Sequence, residues 1–225
     1  MPILDYIFPK TCLGCGKTGS YVCCNCIKIV KKSCQVCIEC LKPTEHGMTH
    51  PGCKTPFSLD ALYTVWNYEG VVRKSILTLK YRFAKEISKE LGFLLKNELP
   101  EELQKHQKPI LVPVPMAKKR ENWRGFNQTN EIAKILSLSL GWGYCPNLLI
   151  KKFSNPQTNL KGEERRKNIK GKFVINKDFS ELDYKIPIVV FDDVLTTGST
   201  LKEAGGVLKR NGFQSVFGLT IARSI

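Results

Sequence analysis

Apolar residues follow three different rhythms along this chain, and each rhythm predicts a different kind of element. The run ALYTVWNYEG, residues 61 to 70, alternates among β-rich residues and reads as a strand closed by a turn at Gly70. In VVRKSILTLKYRFAKEISKELGFLLKNEL the apolar positions return at helical spacing through Ile76, Leu79, Phe83, Ile87, Leu91 and Leu94 or Leu95. This predicts two helices or one broken helix with a core-facing stripe. NQTNEIAKILSLSLG reads as a helix with Asn or Thr near its start and Gly141 at its end. The third rhythm is the short continuous apolar run. PILVPVP, NLLIKKF and KFVI read as strands, and IPIVVFDDV, GSTLKEAGGVLKRNG and FQSVFGLTIAR as a strand, helix, strand unit. Continuous apolar strands alternating with helices imply a parallel sheet covered on both faces, and such sheets bind ligands at the carboxyl ends of their strands.

Composition adds little until it is divided along the chain. The 225 residues are 42% hydrophobic and 24% charged, as expected of a soluble globular protein with one sizeable α/β domain and a small appendage. No apolar run approaches the ~20 residues of a membrane span. The start, MPILDYIFPKTC, has neither the basic opening nor the apolar core of a secretory signal, so the expected location is cytoplasmic. The formal net charge is +15. Residues 151 to 172 hold eight basic and two acidic side chains, a net of +6, which suits phosphates or nucleic acid or else a solvated loop.

Nine of the ten cysteines lie between Cys12 and Cys53, and only Cys145 lies outside. They form Cys12-x2-Cys15, Cys23-x2-Cys26 and Cys37-x2-Cys40, followed by His50-x2-Cys53. Without an export signal, paired CxxC units favour tetrahedral zinc over disulfides. The assignment is Cys12, Cys15, Cys23 and Cys26 for one ion and Cys37, Cys40, His50 and Cys53 for a second. Both are structural sites with full ligand sets, whose metal supplies folding free energy to knuckles too small to fold alone. Cys24 competes with Cys23, Cys34 makes a rival CxxC with Cys37, and an interleaved pairing of the first and third units also fits the spacing. His46 reads as a loop residue. Cysteines stop and turn residues cluster near KTPFSLD, dividing a zinc-binding domain at 1–58 from a larger domain at 59–225.

The stretch VVFDDVLTTGST carries the chemistry. Small residues after a strand admit a phosphate to the backbone, and a following helix N-terminus offers free N–H groups and a favourable dipole. Thr196, Thr197, Ser199 and Thr200 add hydroxyls, and Gly198 permits the turn. No GK[ST] and no GxGxxG is present at this point. Asp192 and Asp193 would repel an anion unless they accept hydrogen bonds from sugar hydroxyls or hold Mg2+. A ribose 5-phosphate satisfies both halves, with its phosphate in the loop and its 2 and 3 hydroxyls on the aspartates.

This stretch resembles the phosphoribosyl pyrophosphate signature of type I phosphoribosyltransferases. With CLGC and the other CxxC knuckles, NYEGVVRKSILTLKYR, VPVPMAKKRENWRGFNQ and NPQTNLKGEERRKNIKGKF in this order, the chain resembles the ComF family along nearly its whole length. The resemblance implies an α/β fold, a type I phosphoribosyltransferase core of mostly parallel sheet flanked by helices, with a small N-terminal double zinc-knuckle domain. It implies that Asp192 and Asp193 contact ribose hydroxyls and that Thr196, Thr197, Gly198, Ser199 and Thr200 hold the 5-phosphate of a ligand bound with Mg2+. Lys118, Lys119, Arg120 and Arg124 then fall in the pyrophosphate loop, and Arg165 or Arg166 in a hood over the reacting centre. Purine-salvage members carry Asp where this chain has Thr196, so transfer to a purine base is disfavoured. The resemblance further implies a role in DNA uptake, with single-stranded DNA and a DNA-uptake helicase or recombination protein as partners. Trp123 and Phe126, interleaved with Lys and Arg, suit base stacking or packing under the loop. The alternatives are an active transferase with an unidentified base or amine acceptor, and a zinc module that only packs against the rest.

Overall fold

The strands of the main sheet are apolar on both sides because each side is covered by different elements. The computed structural model describes residues 9–79, 84–106, 108–116, 127–152, 171–179 and 181–224. In chain order these form helix α1 (Cys24–Lys28), strand β1 (Ala61–Asn67), and helices α2 (Gly70–Thr78), α3 (Ala84–Glu98) and α4 (Glu101–Gln104). Strand β2 (Ile110–Pro113), helix α5 (Gln128–Leu140) and strands β3 (Gly143–Tyr144), β4 (Leu149–Lys151), β5 (Phe173–Ile175) and β6 (Ile188–Leu195) follow. Helix α6 (Ser199–Arg210) and strand β7 (Val216–Arg223) close the described chain.

Five strands pair in the order β1-β7-β6-β2-β3, and every pairing is parallel. Helix α5 carries the chain outward from β2 to β3, whereas α6 carries it outward from β6 to β7 in the opposite direction. The reversal opens a crevice between the carboxyl ends of β2 and β6, the position where such sheets take ligands. Tyr63, Leu111, Val189, Phe191 and Leu219 pack on one face with Ile76, Leu91 and Ile132 of α2, α3 and α5. Leu62, Val112, Val190 and Val216 pack on the other with Leu201, Ala204 and Leu208 of α6.

The cysteine-rich segment contributes to both layers. Val22, Cys26, Ile27 and Val30 join the first core, and Val36 and Ile38 join the second, so the segment straddles the sheet at its β1 edge. It also completes that edge. The Ser33 N–H donates to the Val65 carbonyl, Asn67 donates to Lys31, and Thr49 donates to Asp60. Between these rungs the Gln35 side chain takes the place of backbone. Its Oε1 accepts from the Thr64 N–H at 3.0 Å and its Nε2 donates to the Thr64 carbonyl at 2.8 Å. An open strand edge is thereby paired without a full extra strand.

Three expectations need revision. NLLIKKF and KFVI do contain strands, but β4 and β5 pair antiparallel with each other, outside the main sheet. Parallel pairing would have required a crossover, and the strongly polar segment between them supplies no apolar face to cover a sheet. The run at 61 to 67 is buried at six successive positions instead of alternating, because β1 is covered on both faces. Gly70 opens helix α2 instead of closing a turn. Helix α4 and strand β3, of four and two residues, are too short to show a period. Phe83, Lys80 and Tyr81 lie outside the described residues.

The close fit at the β1 edge has a testable weak point in Gly47. Its φ is +74°, and a Cβ added there would lie 2.2 Å from the Leu62 carbonyl oxygen. Gly47→Ala is expected to destabilise the protein by about 2 kcal/mol or more, read as a lower urea midpoint. An unchanged midpoint would contradict this packing.

Candidate active site and metal clusters

At the carboxyl end of β6 two neighbouring aspartates meet the start of α6. The Asp193 N–H donates to the Asp192 carboxylate at 2.9 Å, and the Val194 N–H donates to the Asp193 carboxylate at 2.7 Å. Burial, and then the charge of Asp193, push the Asp192 carboxyl up to about 8, against an opposing pull from Lys151. The pair therefore does not carry two full negative charges at neutral pH when nothing is bound.

The chain then turns through Thr196 and Thr197 into Gly198, whose φ of +70° is a left-handed conformation that favours glycine. Thr197 Oγ1 and Ser199 Oγ lie 2.8 Å apart, and the Ser199 N–H approaches Thr197 Oγ1 at 3.4 Å. Gly198, the N-cap of α6, has no side chain to cap it, so apart from the Ser199 N–H held by Thr197 the first-turn N–H groups and the positive end of the dipole face an anion. Thr196 is exposed at this turn.

These residues line one cavity of about 350 Å³. Asp192, Asp193, Thr196, Thr197, Gly198, Ser199 and Thr200 all border it, so the carboxylates and the loop face the same space. Pro115 and Met116, which follow β2, border it as well. The proposed pyrophosphate-loop cations Lys118, Lys119, Arg120 and Arg124, with Trp123 and Phe126, lie outside the described residues, as do Arg165 and Arg166.

Other lining residues were missed by the sequence reading. Lys151, the last residue of β4, reaches the cavity and bears on the Asp192 charge, although it had counted only as part of a basic run. Tyr68 and Ser224 follow the ends of β1 and β7, so the rule that ligands sit beyond strand carboxyl ends could have found them. Asn127 was legible only as a helix start. Its Oδ1 accepts from the N–H groups of Thr129 and Asn130 at 3.1 and 3.4 Å, while its Nδ2 donates to the Val114 carbonyl at 3.4 Å. It thus ties α5 to the end of β2 at the cavity wall.

The structure brings together two sets of metal-ligating atoms, each within 4.8 Å of one another: Cys12, Cys15, Cys23 and Cys26, then Cys37, Cys40, His50 and Cys53. Either set could hold a metal ion. Four thiolates about 2.3 Å from a tetrahedral zinc stand ~3.8 Å apart, and Cys15 Sγ and Cys23 Sγ are 3.7 Å apart. Cys12 Sγ accepts from the N–H groups of Gly14 and Cys23 at 3.4 and 3.5 Å. Burial raises the Cys12 thiol, but the backbone N–H donors outweigh it and bring it to about 6, while contacts with the Cys15 and Cys23 thiols push Cys26 up to about 12, so the four thiols titrate as one coupled set. In the second set His50 Nδ1 lies 3.4 Å from Cys40 Sγ while its Nε2 lies 3.2 Å from the Pro43 carbonyl. A carbonyl partner on one ring nitrogen leaves the other free to ligate. Cys24 and Cys34 are exposed and belong to neither set, and His46 pairs instead with Glu102 at 2.7 Å.

No protein-family model matches the chain. It is similar to "Competence protein F" of Haemophilus influenzae, with 29% identity over 214 residues and 90% of each chain covered. It is also similar to "DNA utilization protein YhgH" of Salmonella typhi, with 27% identity over 201 residues and 87% of each covered. Among solved structures, the allosteric regulatory enzyme of purine biosynthesis superposes with a TM-score of 0.37 and 17% identity. That match spans 59% of this chain and 25% of the other, too slight a likeness to carry an argument. Among the described residues, no helix is long and apolar enough to cross a membrane.

The raised Asp192 carboxyl fixes the sign of a pH effect. A carboxyl lifted from the unfolded value near ~4 to a folded value near 8 contributes stability below ~4 that is lost as pH rises through the folded value. Relative to Asp192→Asn, the unliganded wild type is expected to lose melting temperature progressively between pH ~4 and ~8, with little further loss above that. Parallel melting curves for the two proteins across this range would contradict the assignment.

Proposed function

On the premise that this chain is ComF-like, we propose that the cavity between β2 and β6 binds phosphoribosyl pyrophosphate with Mg2+, and that the protein handles single-stranded DNA during DNA uptake. The observation that carries the first part is the union, in one cavity, of a carboxyl pair with an uncapped helix N-terminus behind a row of hydroxyls. The 5-phosphate takes the N–H groups and hydroxyls of the segment 196–200. Asp192 and Asp193 accept hydrogen bonds from the ribose hydroxyls, which favours the ionised pair and releases the proton held in the unliganded state. In this reading Lys118, Lys119, Arg120 and Arg124, which follow β2 in the sequence, are assigned to the diphosphate, and Arg165 or Arg166 to the hood. Bound Mg2+ supplies charge neutralisation at the diphosphate.

In the same reading each Cys/His set holds one structural zinc. The donors fit: two sets of four, one with an imidazole oriented by a carbonyl. The metals cross-link a segment whose described structure is the five-residue α1, two three-residue 3-10 helices, turns and isolated bridges.

The DNA part rests on the +15 net charge, on the basic run at 151 to 172, and on relatives named for competence and DNA utilisation. The expected protein partner is a DNA-uptake helicase or recombination protein. A second reading, transfer of the ribose 5-phosphate group to a base or amine, is favoured by one observation. Asp192 and Asp193 border the same cavity as the phosphate loop, which sets a carboxyl pair beside the reacting ribose. The acceptor would be one that needs no general base at Thr196. Pyrophosphate release that depends on such an acceptor, and is lost when both aspartates become Asn, distinguishes this reading from binding alone.

Titration calorimetry should show saturable, Mg2+-dependent binding of phosphoribosyl pyrophosphate. The Asp192→Asn, Asp193→Asn double variant is expected to bind roughly 100-fold more weakly, the scale of two hydrogen bonds to charged groups. Equal binding by the double variant would remove the ribose-site assignment. Fluorescence anisotropy with a single-stranded oligonucleotide should show affinity that falls steeply as salt rises, with a shallower salt slope after charge reversal at Lys161, Arg165, Arg166 and Lys167. No binding at low salt would remove the DNA role.

A further inference from the structure

The second cysteine turn and the phosphate loop are packed against each other. Ile38, between Cys37 and Cys40, is fully buried in the same apolar cluster as Leu195 and Leu201, which bracket the loop. A Cβ added to Gly198 would lie 2.9 Å from Ile38 Cδ1 and 3.6 Å from the Ile38 carbonyl oxygen. The loop backbone therefore rests directly on the turn.

Polar contacts fasten the two together. Lys202, in the first turns of α6, donates from Nζ to the Glu39 carbonyl at 2.7 Å and pairs with the Glu39 carboxylate at 3.2 Å. Arg223, the last residue of β7, donates to the carbonyls of Cys34 and Leu41 at 3.5 and 3.4 Å, one on each side of the turn. The Ser224 N–H donates to the Leu195 carbonyl at 2.9 Å and holds the end of β6 just before the loop. The first cysteine set has different neighbours. The N–H groups of Tyr21 and Val22 donate to Glu90 of α3, and Gly14 packs against Cys26 and Val71. These contacts lie on the opposite face of the sheet from α6.

We infer that Ile38 and Glu39 are positioning residues for the phosphate loop, so that anion affinity in the cavity depends on the second cysteine turn being held in shape. The inference rests on the phosphate-binding reading of the loop and assigns its control to residues more than 150 positions earlier in the chain. A helix N-terminus binds an anion well only when its N–H groups are already aimed, since ordering them on binding subtracts from affinity. Gly198 has no side chain with which to hold itself, and Ile38 is what it rests on.

The test uses the full-length, zinc-loaded protein with Ile38→Ala and Glu39→Gln. Three readouts apply to each: bound zinc by elemental analysis, affinity for phosphoribosyl pyrophosphate with Mg2+, and amide hydrogen exchange across residues 196 to 202. Both variants should keep two zinc ions per chain. Ile38→Ala should bind roughly tenfold more weakly, and Glu39→Gln a few-fold more weakly, with faster exchange in the loop. Glu39→Gln separates positioning from charge, because removing a negative charge near an anion site would by electrostatics alone tighten binding. Tighter binding by Glu39→Gln, or wild-type affinity and exchange in a zinc-loaded Ile38→Ala, overturns the inference. If the wild type binds no phosphoribosyl pyrophosphate, the ligand assignment fails, while faster loop exchange in Ile38→Ala still supports the positioning role. Should Ile38→Ala fail to fold, Ile38→Val, which removes one methylene, supplies the same three readouts.

Discussion

Two carboxyl groups side by side at the end of a buried strand repel each other and lose hydration, and this structure does not remove that conflict internally. Asp192 is pushed up to about 8 by burial and by its neighbour, and the N–H groups of Asp193 and Val194 and the charge of Lys151 offset only part of the cost. The arrangement makes sense when the remaining compensation comes from outside, as hydroxyl donors brought in by a ligand and the positive charge of a cation bound with it. A few residues further on, the N-terminus of α6 has the opposite deficiency, with donors and a positive dipole end but no capping side chain. A sugar phosphate carries the donors the first feature lacks and the anion the second lacks.

The sheet topology brings these incomplete features together. Parallel strands run all their carboxyl ends to one side, and the reversal of chain direction between β2 and β6 leaves that side open. The cysteine-rich segment then acts as a buttress at the β1 edge and beneath the loop. It completes the β1 edge through Gln35 and adds residues to both cores, with Ile38 beneath Gly198. The segment that carries the two candidate metal sets is therefore a surface on which the larger sheet leans.

Much of this was legible in the sequence because the features are local. The buried runs of β2, β6 and β7, the Asn127 start and Gly141 end of α5, and the strand-to-loop change after Leu195 need only neighbouring residues to be read. The two ligand sets and the choice of His50 over His46 also follow from local spacing, although only the fold separates Cys23 from Cys24. What escaped depends on distant residues meeting. Lys151 enters the cavity only because β4 pairs with β5, and Gln35 reads as an ordinary polar residue until Thr64 lies beside it. The short elements α4 and β3 have too few residues to show a period and exist because tertiary contacts hold them. The contact of Ile38 with Gly198 spans 160 positions, and neither residue signals it alone.

The most direct measurement is a crystal structure of the protein soaked with phosphoribosyl pyrophosphate and Mg2+. The account predicts the 5-phosphate on the backbone N–H groups of the 196–200 loop, with the ribose hydroxyls on Asp192 and Asp193. The diphosphate should point toward the segment after β2. Density for the ligand elsewhere, or an empty cavity at saturating ligand with the loop and both aspartates accessible in the lattice, would contradict it.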